Sequence, residues 1–165
     1  MPTILSHPAV PLAIGIGLGS GVISPRLLVA GVVASIVPDL DVYLPLAHRG
    51  PSHSLVAAVA LGIAAAALAR ALHAPPLRAF LFIAFAAASH GLLDAFTTGG
   101  GGIQFFWPFT DEGFFMPWQV IEVSPIGISS FFSKRGLYVF ASELTWIWSM
   151  AVFLALALFL TRRSD

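Results

Sequence analysis

Residues 77–96 read LRAFLFIAFAAASHGLLDAF, a run of twenty with one arginine near its start and one histidine and one aspartate near its end. A helix needs about 20 apolar residues to cross roughly 30 Å of hydrocarbon, so this stretch reads as a membrane span. Two further stretches read the same way. Ser54–Leu72 is mainly Ala, Leu and Val around Gly62, with Arg70 near its end, and Leu144–Leu160 is closed by Thr161, Arg162 and Arg163. Composition agrees: of 165 residues, 58% are hydrophobic and 10% charged. A soluble domain carries about 25% charged residues, and that shortfall points to a surface solvated by lipid.

Around these spans the sequence predicts an all-α integral membrane helical bundle, a single domain over 1–165, with four to five transmembrane helices. Ala9–Ile23 is apolar but rich in glycine (Gly15, Gly17, Gly19, Gly21), and Leu27–Ile36 continues after Ser24, Pro25 and Arg26. These read as two short helices joined at a Pro25–Arg26 turn, packed closely through their small residues. A single kinked helix is the alternative. Residues 97–142 are expected to form a long, irregular extramembrane loop before the last span. Pro and Gly crowd it, and aromatics such as Trp107 and Trp118 suit the headgroup layer. A loop of that length is more often functional than idle. Met1–Ser6 lacks the basic start of a secretory signal, so the first apolar stretch is expected to be retained.

Eight basic residues balance eight acidic ones, which leaves no basic face for nucleic acid. Cysteine is absent, excluding disulfides, thiolate metal sites and a cysteine nucleophile. Threaded through five crossings, one end of the bundle collects Arg26, Arg70, Arg78, Arg162 and Arg163. The other collects His7, Asp39, Asp41, His48, Arg49, His53, Asp94 and the long loop, with His90 about one turn deeper. Five basic residues against three (Arg49, Lys134, Arg135) make the first end cytoplasmic and the polar cluster extracytoplasmic.

Ionisable residues at a membrane edge are costly and default to a functional reading. In Pro38-Asp39-Leu40-Asp41 two carboxylates stand two residues apart, and such a pair repels unless a cation or proton lies between. A solvated helix end is the bland alternative. His48-Arg49-Gly50-Pro51-Ser52-His53-Ser54 brings two imidazoles and a guanidinium to a turn, with Ser52 expected to cap a helix starting at His53. His90 and Asp94 are four residues apart on one helix face, a spacing that lets both bind one metal. His7, before Pro8, is a weaker candidate, and His73, beside Pro75 and Pro76, is set aside as a loop residue. Gly99–Gly102 reads as a flexible linker sooner than as an anion cradle.

The ligand candidates are therefore His7, Asp39, Asp41, His48, His53, His90 and Asp94. Oxygen and imidazole donors without thiols suit a divalent ion: zinc first, with manganese or iron as alternatives. Seven candidates exceed the needs of one ion, so two ions sharing an aspartate fit as well as one. A metal lowers the pKa of water towards about 7 and makes it a nucleophile. Arg49, Asp41 and Asp94 are the catalytic candidates, Arg49 to steady an anion and a free carboxylate as general base. The rival readings are a haem protein using His53 and His90, and an ion- or solute-handling protein using the same cluster.

In their order, His7-Pro8, Pro38-Asp39-Leu40-Asp41, the His48–Ser54 block and Ser89-His90-Gly91-Leu92-Leu93-Asp94 resemble the YdjM-like family of membrane-bound metal-dependent hydrolases. The resemblance covers the chain from His7 to about Pro108. It implies a prokaryotic inner-membrane, multi-pass hydrolase whose ligands fall on the positions already named. A more distant likeness to zinc-dependent phospholipase C favours phosphoesters. The expected substrate is a lipid or amphiphile arriving through the membrane.

Overall fold

A computed structural model describes residues 1–43, 48–125 and 132–164, and the regular elements among them are all helical. The elements run α1 (Ala9–Leu18), α2 (Pro25–Ala34), a 3-10 stretch Val37–Tyr43, a 3-10 turn Pro51–His53, α3 (Leu55–Ala67) and α4 (Pro76–Ala95). They end with α5 (Lys134–Glu143), a π-helical turn Leu144–Trp148 and α6 (Ser149–Ser164). Among the described residues there is no strand, only isolated bridges pairing Thr97 with Ile121 and Ile103 with Phe114.

Two helices are long and apolar enough to cross a bilayer: α4, with 20 residues, and the continuous Lys134–Arg163 rod, with 30. At 1.5 Å per residue α4 is about 30 Å long, the thickness of the hydrocarbon core. The other three have 10, 10 and 13 residues, about 15–20 Å each, so the five full crossings used to thread the sequence do not appear as five spanning helices. Local chemistry sets their ends. Gly19 terminates α1 at φ +74°, a left-handed geometry that a side chain resists. The Ser24 side chain accepts from Leu27 N (3.1 Å), and Pro25 occupies the first turn of α2. The first apolar stretch is thus two helices, with a Gly19–Ser24 connection rather than a single kink.

The last helix begins at Lys134, ten residues before the apolar run that marks it in sequence, because the Ser133 side chain caps it by accepting from Gly136 N. Part of the expected loop is therefore helix, and residues 126–131 of that loop lie outside the described residues.

Helix α4 is the axis of the bundle. It packs along α3 and against α2, burying Phe82, Ile83 and Ala86 with Leu27 and Ala65. The rod lies along α1 and otherwise turns its apolar side chains outward, as lipid solvation requires. Gly17 allows this approach: a Cβ there would lie 2.7 Å from Leu158 Cβ and 2.9 Å from the Ala155 carbonyl oxygen. Arg26 donates to the Ala71 carbonyl (3.3 Å) and Arg78 to that of Val22 (2.9 Å), so these arginines close the end of the bundle remote from the polar cluster.

Candidate metal centre

Four separate segments deliver the cluster. His7 precedes α1 and Asp39 lies in the 3-10 stretch after α2. His53 ends the short turn before α3, while His90 and Asp94 occupy the last turns of α4. All five are buried, with His7, His90 and Asp94 fully so. Ser54, not Ser52, caps α3: its side chain accepts from Ala57 N (3.1 Å). Ser52 is thereby free to donate to Asp41 Oδ2 (2.7 Å), and the cap expected at Ser52 becomes a contact within the site.

Asp39, His53, His90 and Asp94 each place one donor atom within 4.8 Å of the others. Five of the six edges of this group are 3.0 Å (His53 Nε2 to His90 Nε2), 3.4 Å (His90 to Asp39 Oδ1), 3.6 Å (His53 to Asp94 Oδ2), 3.9 Å (His90 to Asp94 Oδ2) and 4.0 Å (His53 to Asp39 Oδ1), and the sixth, between the aspartates, is within 4.8 Å. A tetrahedral ion with arms of about 2.0 Å has edges of about 3.3 Å, so the frame is a slightly expanded tetrahedron.

The rings are oriented from behind. His90 Nδ1–H donates to the Ser35 carbonyl (2.7 Å), which leaves the Nε2 lone pair facing the cluster. His53 Nδ1 faces the Ser52 hydroxyl (2.9 Å) and Asp41 Oδ2 (3.4 Å), and this side again leaves Nε2 free to coordinate. Such backing by a carbonyl or carboxylate is what fixes metal-ligating histidines. Two neutral lone pairs 3.0 Å apart repel unless a proton or cation stands between them.

His7 Nδ1 and Nε2 and all four carboxylate oxygens of Asp39 and Asp94 are buried and have no hydrogen-bond partner among the described residues. Each such orphan costs about 1–3 kcal/mol, more when charged. A cation removes that penalty, and the donor set fits one. Burial, reinforced by the neighbouring His90 and His53 rings, holds the His7 imidazole well below its ordinary pKa. Burial and the adjacent His90 also push His53 down, to about 2. Both rings are therefore neutral near pH 7, the state in which imidazole binds a metal.

Asp41 and His48 form a second, outer group with His53. His48 Nδ1 lies 2.8 Å from Asp41 Oδ1, and this imidazole is 37% exposed, in contrast to the buried set. Asp41 thus backs His53 and links it to a histidine at the surface. Arg49 is buried in a left-handed backbone conformation (φ 65°). Its guanidinium donates to the carbonyls of Gly99 (2.9 Å) and Gly101 (2.6 Å) and to Thr97 Oγ1 (3.0 Å), with Nε 3.7 Å from Asp94 Oδ2. The terminal nitrogens expected to hold an anion are committed to this loop. Gly99–Gly102 is accordingly a clasped segment and not a free linker, and the Gly99 and Gly101 carbonyls face the arginine.

Glu143 carries no role in the sequence reading, yet it is fully buried. Its carboxylate accepts from Thr3 N, from Thr3 Oγ1 (2.7 Å) and from Ser6 Oγ (2.8 Å), and Trp148 Nε1 donates to the same serine (3.2 Å). The π-helical turn begins at the next residue, a distortion common beside functional sites. This clamp fixes the turn that ends at His7. The available signal was an acid immediately before the apolar run from Leu144, where an ionisable group is costly without a partner.

The fold and cluster together define an integral membrane protein with a buried His/Asp site able to hold a metal ion. The family model described as YdjM inner membrane protein matches residues 1–164, and the chain belongs to that family. It is 43% identical to Inner membrane protein YbcI of Escherichia coli (strain K12), across 99% of this chain and all of that protein. No solved structure matches it.

Proposed function

We propose that the protein is a membrane-embedded metal-dependent hydrolase acting on an ester or phosphoester of a lipid-like substrate. The observation that carries this reading is the near-tetrahedral set of two backed imidazoles and two unpaired carboxylates. His53, His90, Asp39 and Asp94 would hold the ion, zinc by donor chemistry, with manganese or iron as alternatives. A divalent ion in this cluster, with one coordination position left to solvent, would supply water activated for attack near neutral pH. Asp41 would orient His53 from behind and tie it to His48 at the surface. Arg49 positions Asp94 and the 97–101 loop without reaching for the substrate itself.

An apolar groove of about 350 Å³ supports a substrate with an acyl chain. Val10, Leu93, Trp146, Ile147 and Leu154 line it, with Leu93 adjacent to Asp94 and Val10 one turn beyond His7. The arginines at the remote end of the bundle favour an extracytoplasmic site. Labelling of single cysteines introduced at Thr98 and Thr161 in this cysteine-free chain tests that placement.

The full burial of His7, His90 and Asp94 favours a second reading, an ion-handling protein built on the same cluster. The haem reading is disfavoured, because His53 and His90 leave no slot for a macrocycle between nitrogens 3.0 Å apart. Metal analysis of protein purified without chelators, beside a His90→Ala control, tests the centre. Metal-dependent turnover of phosphoesters that is lost in Asp94→Ala tests the hydrolase. Equal, negligible zinc, manganese and iron in both preparations removes the basis for either reading, and bound metal without turnover leaves the ion-handling one.

A further inference from the structure

His7 is outside the tetrahedral set, and its position is informative. Its Nε2 lies 3.7 Å from Asp39 Oδ2 and 3.7 Å from Asp94 Oδ1, the two carboxylate oxygens that His53 and His90 do not face. Each aspartate therefore divides its oxygens between two sides. Oδ1 of Asp39 and Oδ2 of Asp94 point to His53 and His90, and their other oxygens point to His7. The His7 and His90 rings are stacked with centroids 3.7 Å apart and planes within 16°. The stacked rings thus stand about as far apart as the metals of two-metal centres, 3.5–4 Å.

We propose that the site is dinuclear, with Asp39 and Asp94 bridging two divalent cations and His7 the sole imidazole on the second. The proposal rests on the metal-centre reading above and deepens it. The first ion, held by His53, His90 and both aspartates, has four protein donors and is closed. The second, held by His7 and the remaining carboxylate oxygens, has three protein donors and keeps a position open for solvent or substrate, the arrangement of catalytic rather than structural sites. His7 is suited to this place: it is completely buried, and neither ring nitrogen has another partner among the described residues. One ion alone would leave it and two carboxylate oxygens unpaired.

Metal stoichiometry and manganese EPR on full-length protein in detergent decide the matter without reference to activity. Wild type loaded with Mn²⁺ is expected to hold two ions per chain and to give an exchange-coupled spectrum. His7→Ala is expected to hold one, with the six-line signal of an isolated ion. His7→Gln, closer in volume, should match His7→Ala while melting near the wild-type temperature. One ion in wild type, or two in both His7 variants, overturns the dinuclear assignment alone. No ion in wild type overturns the metal-centre reading and this proposal with it. Bound metal without turnover counts against the hydrolase and leaves the dinuclear proposal intact.

Discussion

Replacing Glu143 by alanine tests whether the N-terminal turn is clamped as the geometry indicates. The substitution strips the acceptor from the Thr3 N–H, the Thr3 hydroxyl and the Ser6 hydroxyl at a fully buried position. The two hydroxyls can rotate towards other acceptors, but the backbone N–H cannot, and an unpaired buried donor costs about 1–3 kcal/mol. Adding the weakened hydroxyl bonds and the cavity gives a loss of roughly 3–5 kcal/mol. Glu143→Gln keeps one carbonyl for Thr3 N–H and offers its amide to hydroxyls that can turn to accept, so its loss should be about 1 kcal/mol. At about 2–4 °C per kcal/mol for a chain of this size, alanine lowers Tm by roughly 6–20 °C and glutamine by only a few degrees. Thermal melts of the detergent-solubilised protein measure this, and metal content follows alongside, because Ser6 precedes His7. Alanine should lower metal content and glutamine largely preserve it. An alanine variant with wild-type Tm and metal content would refute the clamp, and a glutamine variant as damaged as alanine would refute the hydrogen-bond arithmetic.

Asp41→Asn removes the carboxylate behind His53 and should weaken metal binding 10–100-fold without abolishing it, as measured by competition with a chromogenic chelator. Lowering the pH should remove the contribution of two buried neutral imidazoles to the stability of the metal-free protein. The folded pKa values of His7 and His53 are depressed, so their contribution is complete above the unfolded value of about 6.5 and is lost as pH falls. Two such groups contribute a slope of up to about 2.7 kcal/mol per pH unit below about pH 6, and a pH dependence left unchanged in His7→Gln would contradict the neutral burial of His7. Gly17→Val should separate α1 from the rod, because its Cβ would lie within 3 Å of Leu158 and Ala155, at a cost of about 1–3 kcal/mol in the melting experiment.

Much of the cluster was legible because the chain has few ionisable residues and places them in recognisable patterns. The four-residue spacing of His90 and Asp94 on an apolar helix survives directly, since a helix fixes that face locally. The convergence of His7 on the cluster is less legible for the opposite reason. Nothing near it in sequence signals a ligand, and its place depends on Glu143, 136 positions away, holding the preceding turn. The Ser52 cap and the Gly99–Gly102 linker failed similarly. Local rules assign a serine or a glycine run to a cap or a tether, whereas Asp41 and Arg49 provide tertiary partners that outcompete those uses. Helix lengths were overestimated where hydropathy continued past Gly19 and Ala67, because apolar composition does not reveal a turn made by residues that are apolar themselves.

The way the site is assembled argues that metal and fold are coupled. Only His90 and Asp94 come from a spanning helix; His7, Asp39 and His53 lie on turns or 3-10 segments too short to be stable alone. These turns are held by contacts around the cluster: Glu143 on residues 3–6, Arg49 on residues 97–101, and the Gln104 N–H on the Arg49 carbonyl (3.1 Å). None of those contacts satisfies the six orphaned atoms at the centre. Each part of the perimeter is therefore ordered at the expense of concentrating unpaired donors and acceptors in the middle, a gradient that a bound divalent cation reverses. Metal at 100 times its Kd would then raise stability by about 2.7 kcal/mol. That gain should appear as higher Tm in wild type and be largely lost in His90→Ala, whereas in Thr161→Ala at the remote end it should persist in full.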